Sequence, residues 1–374
     1  MKKILIFYGS YGGGHLSAAK SIRTCLEKNY SNIHVEMVDC IEYINKYINK
    51  VTTGAYKELA KKAPWAWKHL YQDSKDGALA KISTTSNKVM ALKLNSYIKK
   101  FAPDLIISTH PFSTQMCGYL KKKGSITCKV ATILTDYQIH EQWLEFSDYQ
   151  DYFFVSNEQM QVNMLEKGIE KNKIFVTGIP VSNKFTQEYN RNDVCKMFNL
   201  NPENDVVLFF AGGEFGLGRK TTILMLKALI RLFSKLQVVA VSGKNQKMNQ
   251  KFKALVENTE SEDRIKIIEF TDKVPELMSI SKFVITKPGG LTITEAITAH
   301  LPILIINPIP GQEEENANFI EKNGAGIWIK TNDNIARHLK SLYRQPELLT
   351  NMKLKSEKLA KPNSTENICK ALLT

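Results

Sequence analysis

The chain predicts an α/β protein built as two successive parallel sheets, each covered by helices on both faces. Three observations carry that expectation. Apolar runs of strand length alternate with helix-like segments, glycines stand at the C-terminal ends of several runs, and 374 residues exceed what one ordinary core takes. The first set of runs reads "KILIFYG", "HVEMVDC", "DLIISTH", "CKVATILTD", "DYFFVSN" and "KIFVTGIP", with a helix from about Gly14 to Asn29 after the first. The second set reads "DVVLFFAGG", "LQVVAVSG", "IKIIEF", "KFVIT" and "PILIINP". Between them the polar stretch "GIPVSNKFTQEYNRNDVCKMFNLNPEND", with Pro180 and Pro202, is the expected link, giving domains over 1–182 and 183–354. A helix over about 355–374, broken at Pro362, either completes the second domain or crosses back to the first. The region from Ile41 to Phe101 shows no strand pattern and reads as a long helical insertion.

The formal charge is +14, and between Lys46 and Lys100 twelve lysines face three acids. Tyr47, Tyr56, Trp65, Trp67, Tyr71 and Tyr97 are interleaved with them. Lysines mixed with amphipathic rings suit an anionic lipid surface, although charge alone is explained as well by a solvated helical face. No nucleic-acid recognition motif accompanies the charge, so that class of partner is not expected. The apolar runs fall short of the roughly 20 residues that a membrane-spanning helix needs. The opening "MKKILIFYGSYGGGH" ends in glycines and reads as a first strand, not a signal peptide, so a cytoplasmic protein is expected. Six scattered cysteines without a C-x-x-C pair read as reduced thiols, and no metal site is expected.

The densest chemistry lies in 283–319. "FVIT" reads as a buried strand, "PGG" as a turn and "LTITEAITAH" as a helix whose first turn offers unpaired N–H groups to an anion, a phosphate cradle. "YGSYGGGH" similarly follows the first strand, so that Gly13 and Gly14 bring the backbone close to a ligand and His15 stands at the helix start. A dinucleotide site is the rival there, with Asp39 as the ribose acid, but the G-x-G-x-x-G spacing is missing. "AGGEFGLGRKTT" nearly makes a P-loop, yet Arg219 separates Gly218 from Lys220, which argues against ATP hydrolysis. "TDYQIHEQW" places Asp136, His140 and Trp143 at a strand end, where Asp with His offers a base or its orienter; a capping Asp is the bland alternative. In "TGIPV", Gly178 and Pro180 read as hinge residues or nothing more. No D-x-D occurs, so the phosphates are expected to meet helix N-termini with Lys287 or Arg219 and no metal.

Taken in order, "GGGH", "TDYQIHEQW", "TGIPV", "ITKPGGLTITEA" and "PGQEEENA" resemble the processive diacylglycerol β-glucosyltransferases and monogalactosyldiacylglycerol synthases, from Lys3 to about Ile329. More distantly they resemble the N-acetylglucosaminyltransferase that completes the lipid-linked peptidoglycan precursor. The resemblance implies a B-type glycosyltransferase: two Rossmann-like domains facing across a cleft, inverting, independent of metal or other cofactor, and peripheral on the inner face of the cell membrane. It implies UDP-sugar, diacylglycerol and anionic lipids as partners, with glucose favoured over galactose and processivity left open.

Carried over residue by residue, Glu295 would hold the ribose, Gln312 and Glu313 the hexose, and Gly289, Gly290 and Thr292 the diphosphate. Gly212 and Gly213 would frame its other side, Lys287 would add charge, and the backbone around Phe270 and Val274 would read uracil. His15 would be the first choice of base and Asp136 the second. Gly13, Gly14, His140, Trp143, Trp65 and Trp67 would belong to the acceptor and membrane side, Trp143 matching a residue of the acceptor and lipid-contacting region. A UDP-sugar 2-epimerase on the same fold, or a non-catalytic UDP-sugar sensor, are the alternatives.

Overall fold

The structure, a computed structural model, describes residues 1–10, 13–45, 78–211, 219–243, 245–330 and 333–373. Trp65, Trp67, Gly212 and Gly213, and most of the basic, aromatic insertion, lie outside the described residues. The described residues form two α/β units, one of Met1–Ser182, Pro310–Gln312 and Lys361–Thr374, the other of Asn183–Ile309 and Glu313–Ala360.

In the first unit the apolar runs become β1 (Lys2–Tyr8), β2 (Ile33–Asp39), β3 (Leu105–Ser108), β4 (Lys129–Ile133), β5 (Tyr152–Val155) and β6 (Ile174–Val176). All pair in parallel, in the order β2-β1-β3-β4-β5-β6. Alternation along β1 sends Ile4 and Ile6 into one core and Leu5 and Phe7 into the other, so both faces are covered. The helix Gly14–Asn29 covers one face through Ala19, Ile22 and Leu26. The helix Ala78–Phe101 covers the other through Ala91, Leu94 and Ile98. Burying each leucine or isoleucine among them is worth roughly 1.5–3 kcal/mol, which makes the two cores the main stabilising term.

The last helix, Ser364–Leu373, packs Ile368, Cys369 and Leu372 against the Gly14–Asn29 helix. Ser364 Oγ donates to the Ile179 carbonyl at 2.8 Å, and Thr365 Oγ1 donates to the Val181 carbonyl at 2.8 Å. The chain therefore joins the first unit from Lys361 onward, because the helix Pro346–Leu359 runs unbroken and packs with the second unit. Gly178 is no free hinge: its φ is +89°, and a Cβ there would lie 2.8 Å from Lys361 Cβ.

The second unit carries β7 (Val206–Phe210), β8 (Gln237–Val241), β9 (Ile265–Ile268), β10 (Ser281–Thr286), β11 (Ile303–Ile305) and β12 (Gly326–Trp328), ordered β12-β11-β10-β7-β8-β9 and again parallel. The strand "GIW" had no counterpart in the sequence reading. The expected link shrinks to the Ser182/Asn183 boundary, since 183–205 folds with this unit. Arg191 fixes it there, donating to the carbonyls of Pro202 at 2.8 Å, Asn204 at 2.7 Å and Ile280 at 2.8 Å. Among the described residues no helix is long and apolar enough to cross a membrane.

Candidate functional site

Each sheet reverses its winding at one place, and ligands of doubly wound sheets bind beyond the C-terminal strand ends at that place. In the first unit the reversal lies between β1 and β3. The segment after β1 leads to His15, and the segment after β3 begins with Thr109 and His110.

His15 is half-buried in the first turn of its helix. Its Nδ1 lies 2.5 Å from the Thr109 carbonyl, with Thr135 Oγ1 at 3.2 Å. A carbonyl can only accept, so Nδ1 carries the proton and Nε2 is left with a lone pair. Burial lowers the His15 pKa to about 4 against the opposing bond to Thr109, so the ring is neutral at pH 7. His110 lies beside it, ring centroids 4.5 Å apart at 67°, with its own pKa pushed well down by burial and by the neighbouring His15 and His140.

Trp143 is fully buried and packs with Leu134, Phe153 and Met160, its ring 5.8 Å from His140 and 6.5 Å from His15. A buried indole meets no lipid, so its expected lipid contact is corrected to a wall behind the histidines. His140 is likewise buried. The loop that carries Asp136 and His140 is held by Asn157, whose Nδ2 donates to the Tyr137 carbonyl at 3.1 Å. Gly13 precedes the helix and Gly14 opens it; a Cβ on Gly13 would meet nothing within 4 Å. Asp39, the ribose acid of the dinucleotide reading, instead caps a short helix, its Oδ1 accepting from the N–H groups of Ile41 and Glu42 at 3.0 Å.

Asp136 is 4% exposed. Pro310–Gln312 belong to the first unit, and there Gln312 Nε2 donates to Asp136 Oδ2 at 3.2 Å.

In the second unit the reversal lies between β7 and β10. β10 ends at Thr286 and is followed by Lys287, Pro288 and Gly289, and Gly290 starts a helix running to Thr298. Gly289 occupies its N-cap without a side-chain cap bond, and a Cβ on Gly289 would meet nothing within 4 Å. The helix thus starts without a capping side chain, which leaves its N-terminus to an anion, as a phosphate cradle requires. Thr292 is half-buried in that turn. Glu295, one turn further on, has its carboxyl pushed up to about 8 by burial.

The helix Gln312–Lys322 follows β11 and is tied to the cradle by Asn316, whose Nδ2 donates to the Pro288 carbonyl at 3.1 Å. Glu313 Oε2 accepts from the Ile309 N–H at 2.7 Å, so one oxygen of this expected sugar contact already holds the loop. Burial raises the Glu313 pKa and lowers that of Lys287, while their mutual attraction opposes both shifts. Asn307 Nδ2 reaches Thr222 Oγ1 at 3.1 Å, fixing the start of the helix after β7. Phe270, 82% exposed, and Val274 stand after β9, and the helix Val274–Ile280 packs against β10.

His110, Thr109, Thr135, Asn316 and Asn307 were missed by the sequence reading. The signal for His110 was present, a His between a strand end and Pro111, flanked by Ser108, Thr109, Ser113 and Thr114.

The profile described as monogalactosyldiacylglycerol (MGDG) synthase matches residues 15–181, and that described as glycosyl transferases group 1 matches residues 168–359. A processive diacylglycerol beta-glucosyltransferase of Staphylococcus aureus (strain JH9) is 31% identical over 374 residues, covering 100% of this chain and 92% of that one. Among solved structures, MurG of Acinetobacter baumannii aligns with a TM-score of 0.65 at 16% identity, covering 99% of each chain. UDP-GlcNAc 2-epimerase of Neisseria meningitidis bound to UDP-GlcNAc aligns at 0.68 and 17%, covering 100% of each. Staphylococcus aureus MnaA with UDP aligns at 0.66 and 17%, covering 98% of this chain and 95% of that one.

Proposed function

Because the chain belongs to the processive diacylglycerol glucosyltransferase and monogalactosyldiacylglycerol synthase family, we propose that it transfers glucose from UDP-glucose to the free hydroxyl of diacylglycerol with inversion at the anomeric carbon. It is a glycosyltransferase of diacylglycerol-like lipids; the sugar, the stereochemistry and repeated addition belong to the proposal. The observation that carries the chemistry is the bond from His15 Nδ1 to the Thr109 carbonyl, which leaves Nε2 as the proton acceptor.

In this reading Nε2 takes the proton of the acceptor hydroxyl as its oxygen forms the bond to the anomeric carbon. The Thr109 carbonyl then supports the imidazolium. UDP departs with the electrons of the broken glycosidic phosphate bond, and its charge is met by the N–H groups at Gly289–Gly290 and by Lys287, so the proposal includes no metal. Glu295 accepts from the ribose hydroxyls. Glu313 and Gln312 are kept for the hexose, and Gly212 and Gly213 for the diphosphate, as the family likeness suggests.

Separate incubations with UDP-glucose and UDP-galactose, each with diacylglycerol in anionic vesicles, test the reading. Glucolipid from the first is expected. Product only from UDP-galactose overturns the choice of donor, no glycolipid from either overturns the function, and turnover of soluble UDP-N-acetylglucosamine without vesicles favours the 2-epimerase.

The lysine-rich, aromatic stretch between Lys46 and Lys100 supports docking at the inner face of the cell membrane, each lysine near an anionic surface adding about 1 kcal/mol. Vesicle binding is then expected to fall with added salt or on removal of anionic lipid. Binding that ignores both would sink the electrostatic account.

A further inference from the structure

We propose that His110 is a positioning residue for His15, holding its imidazole in the orientation and tautomer that keep Nε2 open. The inference rests on reading His15 as the base, and it concerns a residue outside every role assigned above. His110 is 4% exposed and packs edge to face on His15, centroids 4.5 Å apart. It is also the N-cap of the helix Pro111–Lys122: Pro111 has no N–H, so the first available donor is Phe112, which gives its N–H to His110 Nδ1 at 3.2 Å. That bond fixes the neutral His110 with its proton on Nε2, opposite to His15, whose proton is fixed on Nδ1 by the Thr109 carbonyl. One turn, Thr109–Pro111, therefore grips His15 twice, by its carbonyl and by its ring.

The turn is itself anchored. Ser108 Oγ and Ser113 Oγ each donate to the His110 carbonyl at 2.9 Å, and Thr114 Oγ1 donates to Ser108 Oγ at 2.9 Å. Across the sheet, Gly9 leaves the space that the ring fills: a Cβ on Gly9 would lie 2.6 Å from His110 Cδ2 and 2.8 Å from Ile41 Cδ1. The first glycine of "YGSYGGGH" thus serves His110 and not a ligand directly. The titratable groups that face His110 are His15, from the first helix, and His140, from the loop after β4. Phe112 flanks it at 5.0 Å.

The test uses two variants of the full chain. His110→Asn keeps an oxygen to cap Phe112 but removes the ring; Gly9→Ala keeps His110 and pushes on its ring. Both are expected to lower kcat about 10- to 100-fold with little change in the KM for the sugar nucleotide. In 15N NMR, the wild-type His15 shows an unprotonated Nε2, and both variants show its tautomers mixed. Wild-type kcat with an unchanged His15 tautomer in either folded variant overturns the proposal. A His15→Gln variant of full activity would instead overturn the reading of His15 as base, while the tautomer spectra would still decide whether His110 positions it.

Discussion

His15→Gln is expected to lower kcat by about 10²- to 10⁴-fold, the range for loss of a positioned general base, while UDP binding stays at the wild-type level. Binding is spared because the donor cradle belongs to the second unit. The same residue leaves a signature in stability. Its pKa of about 4 in the folded chain lies below the 6.5 of an exposed histidine, so between those values the unfolded chain holds more protons. Stability therefore falls as pH drops from 6.5 towards 4, by up to about 3 kcal/mol, and levels off below. Thermal unfolding of wild type and His15→Gln across that window should show a steeper fall in the wild type, since His110, held neutral by burial, contributes to both. Equal activity, or equal slopes, would count against the assignment.

Glu295→Ala is expected to weaken UDP binding by about 10- to 100-fold, the equivalent of roughly 1.5–3 kcal/mol for hydrogen bonds to a charged acceptor. Isothermal titration measures it, and affinity within twofold of wild type would remove Glu295 from the ribose. Burial holds its carboxyl at about 8 in the empty site. At pH 7 the group is mostly protonated, and ribose hydroxyls that donate to a carboxylate favour the ionised form. Binding should then release up to one proton at pH 7, seen as a dependence of the apparent enthalpy on buffer, and Glu295→Ala should lose that release. The sign in stability is opposite to the usual carboxylate. The folded chain holds more protons than the unfolded one between 4.5 and about 8, so stability falls as pH rises through that window.

The strands were legible because runs such as "KILIFY" and "KFVIT" are continuous apolar segments, and only a sheet covered on both faces buries them. The helix starts at Gly14 and Gly290 were legible from glycines at strand ends. Strand order was not, since nothing in "DLIISTH" says that β3 lies on the far side of β1 from β2. That order creates the reversal point and brings Thr109 to His15 across 94 positions of sequence. The family likeness supplied His15 as a site residue; its tautomer, its partner Thr109 and its neighbour His110 came from packing. The burial of Trp143 was not legible in "TDYQIHEQW", because Leu134, Phe153, Val155, Met160 and Met164 close around it from other segments. The division at Ser182/Asn183 was legible, but the return at Lys361 required seeing Ser364 and Thr365 bond to Ile179 and Val181.

The linkage in the product tests the central claim most directly. Lipid extracted after incubation with UDP-glucose and diacylglycerol vesicles should contain glucose joined through a β-glycosidic bond, read from the anomeric coupling in proton NMR. An α-linked product, or a sugar nucleotide epimerised with no lipid glycosylated, would contradict a base-assisted inverting transfer at His15.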